Sequence, residues 1–349
     1  MSDPEAKISD PPEHNPMDQF SAHLDRGWDL VHRGDFEGAQ RSAEKSLELD
    51  AESPEAHNLA GYVHAALGDA DSALQHYQQA IALDDSFVEA MLNAAEVLIH
   101  PLHDFRAAID LIDDALDWTE SDEEAADALL VKFDAYMHQG EFEKARRVLS
   151  TVPDSDFETA RLDFMVGRAH FEVGEMEAAR ARLERALGKE SDNPDVRYYM
   201  GLVLDATGEH GAATLEFLRT RELDLASPPV PWELPQDRLE GLARRIIGSL
   251  DETLQAVLDG VLVVVADVPG PEVVADGVDP RAPLLLDGVS GEDEPPHVGR
   301  LFIYRRNAER MSESADTLED DLQQMLHGEI LAIFPALAPS ANGETPTPS

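Results

Sequence analysis

The groups in this chain that could do chemistry are imidazoles and carboxylates: it carries 13 histidines and 71 acidic residues, and no cysteine. Without cysteine there are no disulfides, thiolate metal sites or thiol nucleophiles, a composition that suits a reducing compartment. The histidines are scattered. His100 and His103 straddle Pro101 instead of sharing a helical face, and His297 stands alone in a loop, short of the three protein ligands a catalytic zinc needs. Near the end, the stretch His327-Gly328-Glu329-Ile330-Leu331-Ala332-Ile333-Phe334-Pro335 holds one histidine and one carboxylate, Glu329. The acidic loop Gly291-Glu292-Asp293-Glu294 lacks the alternating ligands and closing glutamate of a calcium loop. No phosphate-cradling glycine loop follows a strand and no Gly-x-Ser-x-Gly elbow occurs, so nucleotide binding and serine hydrolysis have no support. No cofactor and no metal are expected.

The elements that would position these groups are set by a repeat. Gly34-Asp35-Phe36, Gly68-Asp69-Ala70, Gly140-Glu141-Phe142, Gly174-Glu175-Met176 and Gly208-Glu209-His210 repeat one turn phrase, spaced 34 residues apart except across the middle. There His103-Asp104-Phe105 takes the missing place. Ala39, Ala73, Ala108, Ala145, Ala179 and Ala213 follow the phrase in register, and Gly61, Ala95, Gly167 and Gly201 precede it. Small residues at both places let two antiparallel helices approach closely. Ala43, Tyr77, Ile112, Leu149, Leu183 and Phe217 then form an apolar knob for the next hairpin, and Pro194 opens the sixth unit at a first-turn position.

This pattern resembles the tetratricopeptide repeat family over residues 18–226, read as a helical solenoid of about six hairpins. The resemblance implies a right-handed superhelix whose groove, lined by the first helix of each hairpin, grips a peptide or helix. Family groove positions fall on Trp28, Asn58, Tyr62, Glu96, Asp134, Arg168 and Tyr198. Of these only Asn58 suits the family's clamp for a carboxyl terminus. Pro101 and the extra residues from Thr119 to Glu123 predict irregularity in the third and fourth units.

After a proline-rich linker at 227–235, helical spacing resumes with a capping box at Asp237 and Glu240 and an apolar face of Leu239, Leu242, Ile246 and Leu250. Val261 to Val265 reads as a buried strand, with further strands at Leu284–Gly288 and Arg300–Arg305. A last helix runs from about Thr317 to Phe334, stopped by Pro335. This small α+β domain, 236–338, resembles the minimal zincin-like metallopeptidases of bacteria in the phrases Val264-Val265-Ala266-Asp267-Val268-Pro269 and Leu286-Asp287-Gly288-Val289-Ser290-Gly291 and in element order. That family carries His-Glu-x-x-His on the last helix. Glu329 and Phe334 match here, but Gly328 and Ala332 stand where the zinc ligands belong, so the resemblance implies a catalytically inactive relative. The alternative is a zinc peptidase with a non-standard site using Glu329 as base.

A formal charge of -44 repels phosphate backbones and anionic lipid, so no nucleic acid and no membrane partner is expected, and a basic peptide or protein is. Residues 1–17, without a signal-peptide pattern, and the tail 339–349 are read as disordered, and the protein as cytoplasmic.

Overall fold

The computed structural model describes residues 16–291 and 295–338. The residues before 16, the acidic stretch Glu292 to Glu294 and the tail from 339 lie outside the described residues. The chain divides into two compact units, one up to Ala186 and one from Leu187 onward.

The first unit is a series of antiparallel helical hairpins: α1 (Pro16–His32) with α2 (Phe36–Leu49), α3 (Pro54–Ala66) with α4 (Ala70–Leu83), α5 (Val88–Ile99) with α6 (Phe105–Leu116), α7 (Asp122–His138) with α8 (Phe142–Leu149), and α9 (Ala160–Glu172) with α10 (Met176–Lys189), whose last residues belong to the second unit. Each turn phrase works in two steps. Its glycine takes a left-handed φ, 73° at Gly34, 82° at Gly68, 72° at Gly140 and 81° at Gly174, to end the first helix. Its acidic residue can then cap the second: the Asp35, Asp69 and Asp104 carboxylates accept from the amides of Gly38, Ser72 and Ala107 at 2.9, 3.1 and 3.1 Å. In the middle place His103 adopts φ 54°, the left-handed geometry a side chain resists by about 1 kcal/mol.

The small residues do what their register implies. A β-carbon at Gly61 would sit 2.6 Å from the Tyr77 ring, and one at Gly167 would sit 3.0 Å from Leu183. Tyr77 and Leu183 therefore each seat on the glycine of their own hairpin. Tyr77 also packs with Ala94 and Val97 of α5, and Ile112 with Ala128 and Ala135 of α7, so the same side chains join neighbouring hairpins. Irregularity falls at α5, which stops at Ile99 before Pro101, and also at 150–159, which crosses between α8 and α9 without helix. Phe157 in that segment is 1% exposed, and Arg182 of α10 covers its ring at 5.0 Å while donating to the carbonyls of Pro153 (2.6 Å) and Ser155 (3.3 Å) and to Asp163 (3.1 Å).

Three imidazoles meet between α3 and α4. His57 and His76 approach to 3.1 Å between their Nδ1 atoms, and His64 stacks on His76 with centroids 5.3 Å apart while its own Nδ1 faces Asp69 at 3.4 Å. Burial, then the neighbouring His57 and His64 charges, hold His76 below its ordinary value. The unfolded chain therefore takes up this proton first, and stability is lost as pH falls from the ordinary 6.5 through the lowered folded value. We expect the gap in melting temperature between wild type and His76→Gln to narrow or reverse when pH drops from about 7.5 to about 5.5, as read by calorimetry. A gap that widens on acidification contradicts this.

The second unit holds the hairpin α11 (Pro194–Ala206) and α12 (His210–Ala226) together with an α+β part. The α+β part comprises α13 (Gln236–Ser249), α14 (Glu252–Val257), β1 (Leu262–Ala266), α15 (Pro271–Ala275), β2 (Leu284–Val289), β3 (Val298–Tyr304), α16 (Arg305–Met311) and α17 (Leu318–Ile333). β3 is central, parallel to β1 and antiparallel to β2. The buried strand expected at 261–265 is found at 262–266 and is buried on one side: with β3 in the middle, β1 is an edge strand, Val263 and Val265 facing the core and Leu262 57% exposed. The expected capping box is also absent. Pro235 is the N-cap of α13 without a side-chain bond, Asp237 lies inside the first turn, and Glu240 pairs with Arg244 at 2.7 Å. The core is made by Leu239, Leu242 and Ile246 of α13, Leu301 and Ile303 of β3, and Leu318, Leu322, Leu326 and Ile330 of α17. The proline-rich segment is tied down too, with Trp232 and Leu234 packed on this core and the Leu234 amide donating to Glu309 at 2.8 Å.

Candidate functional site: the acidic groove of the first unit

The first helices of successive hairpins, α3, α5, α7 and α9, line adjoining cavities of about 300, 390 and 340 Å³, with Glu96 of α5 contributing to all three. Residues one repeat apart on the first helices of neighbouring hairpins touch. Trp28 and Tyr62 meet edge to face at 5.5 Å, and Asp127 receives both carboxylate bonds from Arg161 at 2.7 and 2.8 Å.

The groove is electronegative because its cations are spent on its own walls. Arg161 is paired with Asp127, and Arg168 with Glu172 at 2.9 Å. Glu89, Glu96, Glu124 and Asp134 line the cavities as well. Recession into the concave wall pushes the Glu96 carboxyl up, His100 opposes that rise, and Asp134 and Asp127 add to it. The residue nonetheless stays exposed. A cation entering beside Glu96 would relieve that repulsion.

The groove positions read from sequence differ in what they can offer. Tyr62 is 38% exposed and presents its ring beside Trp28. Asn58 is 2% exposed, donating to Glu89 and accepting from Asn93, each at 3.0 Å. Its amide is committed within the wall and cannot clamp a carboxylate. Glu96, Asp134 and Arg168 face the cavities. Tyr198 belongs to the second unit, where its hydroxyl bonds Asp279 at 2.8 Å and the Arg281 guanidinium lies 4.7 Å over its ring.

Sequence reasoning missed one grouping. His100, at the C-cap of α5, and Asp134 and His138, one turn apart on α7, converge with their ligand atoms within 4.8 Å of one another. The signal was present: His100 and Asp134 are one repeat apart, and Asp134 and His138 share a helical face at i, i+4.

In the second unit, His327, Gly328, Glu329 and Ala332 all lie on the exposed side of α17, whose buried side is Leu322, Leu326 and Ile330. Among the described residues no group of three metal-ligating side chains gathers at Glu329. No described helix is long and apolar enough to cross a membrane.

The tetratricopeptide repeat family matches this chain over residues 24–98, 102–163 and 164–224. No curated protein sequence matches it significantly. Solved structures similar to it include PilF of Pseudomonas aeruginosa, at 16% identity and TM-score 0.49, covering 61% of this chain and 95% of that one. PilW, a type IV pilus biogenesis factor, is 17% identical with TM-score 0.49, covering 58% and 92%. A thermophilic repeat protein of Thermus thermophilus is 18% identical with TM-score 0.44, covering 53% and 98%.

Proposed function

Because the chain belongs to the tetratricopeptide repeat family, whose repeats span residues 24–224, we propose that it is a protein-binding scaffold whose first-unit groove holds a basic stretch of a partner. Proteins of this family mediate protein–protein association, and the groove's chemistry supplies the sign of the partner. The observation that carries the reading is that Arg161 and Arg168 are neutralised within the wall while Glu89, Glu96, Glu124 and Asp134 line the cavities. Tyr62 beside Trp28 offers an aromatic edge on which an arginine of the occupant can stack.

We read the α+β part of the second unit as a zincin-like domain without catalysis. The element order and the phrases around Val264 and Leu286 support the resemblance, and Gly328 and Ala332 offer no ligand atom to a metal. Its use is architectural: Arg281, Arg306 and Arg310 bind Asp224 and the end of α12, so the domain caps the last hairpin. A chain free of cysteine fits work in the cytoplasm.

The groove reading is tested by fluorescence anisotropy with lysine- and arginine-rich peptides. Replacing Glu96 and Glu124 together by lysine should weaken binding by roughly tenfold or more and flatten its dependence on salt. Unchanged affinity, or equal binding of acidic peptides, would defeat it.

A further inference from the structure

We propose that His100, Asp134 and His138 form a binding site for a divalent transition metal of the zinc class inside the groove. The His100 Nε2 lies 3.1 Å from one Asp134 oxygen, and the His138 Nε2 lies 3.6 Å from the other. Ligands bound about 2.0–2.2 Å from a tetrahedral zinc stand roughly 3.3–3.5 Å from one another. All three ligand atoms lie within 4.8 Å of one another, so side-chain shifts of about 1 Å bring them to one ion. Two imidazoles and a carboxylate also match the donor preference of zinc, and of its neighbours nickel and copper, over calcium or magnesium.

The scaffold around the site limits where these rings can go. Pro101 follows His100 and ends α5, so His100 is held at a helix terminus rather than within a helical face. Asp134 and His138 are fixed one turn apart on α7. Phe105 of α6 stacks on the His138 ring, with planes 14° apart and centroids at 6.4 Å. All three ligands line the cavity of about 390 Å³, with Glu172 and Glu96 on its wall. Three protein ligands leave a fourth position open to the groove, for water or for a donor from the groove's occupant. The other imidazole cluster does not compete on geometry, because His64 faces Asp69 and stacks on His76 instead of converging with His57.

The experiment is calorimetric titration of the full chain with zinc chloride, in chelator-treated buffer with excess magnesium to occupy the acidic surface. Wild type should bind about one zinc per chain. His138→Gln and Asp134→Asn should each weaken binding by at least about tenfold, and His57→Gln with His76→Gln should leave it unchanged. Cobalt(II) bound to wild type should give the intense visible absorption of a tetrahedral ion, lost in His100→Gln. The ligands are partly exposed surface side chains, so the variants are expected to fold, and the cobalt spectrum reports the site independently of affinity. Zinc binding that survives all three substitutions, that follows His57 and His76, or that is accompanied only by a weak octahedral cobalt spectrum would overturn the assignment.

Discussion

Arg182→Leu is expected to destabilise the first unit by about 4 kcal/mol, within the range for a buried pair broken on one side. Asp163 is fully buried, and Arg182, itself 6% exposed, donates to it at 3.1 Å. The same guanidinium donates to the carbonyls of Pro153 and Ser155 and covers the Phe157 ring. Its removal therefore takes a buried cation away from a fully buried carboxylate and unpins the segment that replaces a regular turn between α8 and α9. Hydrogen exchange should rise first at residues 153–158, and urea unfolding should shift with it. An unfolding midpoint within error of wild type would mean that Phe157 alone seats this segment.

Arg281→Leu should cost the second unit about 3 kcal/mol. Asp224 on α12 is 2% exposed and accepts from Arg281 at 2.9 and 3.2 Å, with Arg310 as a second cation at 2.8 Å. Arg281 also reaches Asp195 at 2.8 Å and lies over Tyr198. Burial disfavours its charge, yet Asp224 and Asp195 more than offset that and hold its proton more tightly than usual. The loss is set below that of Arg182 because Arg310 remains on Asp224. Urea unfolding followed by Trp232 fluorescence, with Trp28 and Trp118 replaced by phenylalanine, isolates this unit. A shift of less than about 1 kcal/mol would indicate that Arg310 alone satisfies Asp224.

Regularity decided what could be read from the letters. Gly34, Gly68, Gly140, Gly174 and Gly208 announce a left-handed helix stop, and the aspartates after Gly34 and Gly68 cap the next helix, so the hairpins were legible from local chemistry. His103 could be placed in the series by its spacing, and it is one of the few side-chain-bearing residue types that tolerate the φ of 54° it adopts. The helix at 318–333 was legible because Leu318, Leu322, Leu326 and Ile330 recur at helical intervals and bury one face. What stayed hidden depends on which elements become neighbours. The edge position of β1 follows from a strand order that Val263 and Val265 cannot encode by themselves. Asn58 reads as an available amide until Glu89 and Asn93 of the adjacent helix are seen to consume it. The His100, Asp134 and His138 group was missed for a related reason: Pro101 drew attention to the wrong partner for His100, while the true partners lie one repeat onward.

The central claim is that the acidic face of α3, α5, α7 and α9 is where this chain holds a partner. Hydrogen–deuterium exchange of the full chain with and without a bound arginine-rich peptide tests it most directly. Protection should appear in those four helices and vanish in the Glu96→Lys, Glu124→Lys chain; protection confined to residues 262–338 would place the binding surface elsewhere and contradict the account.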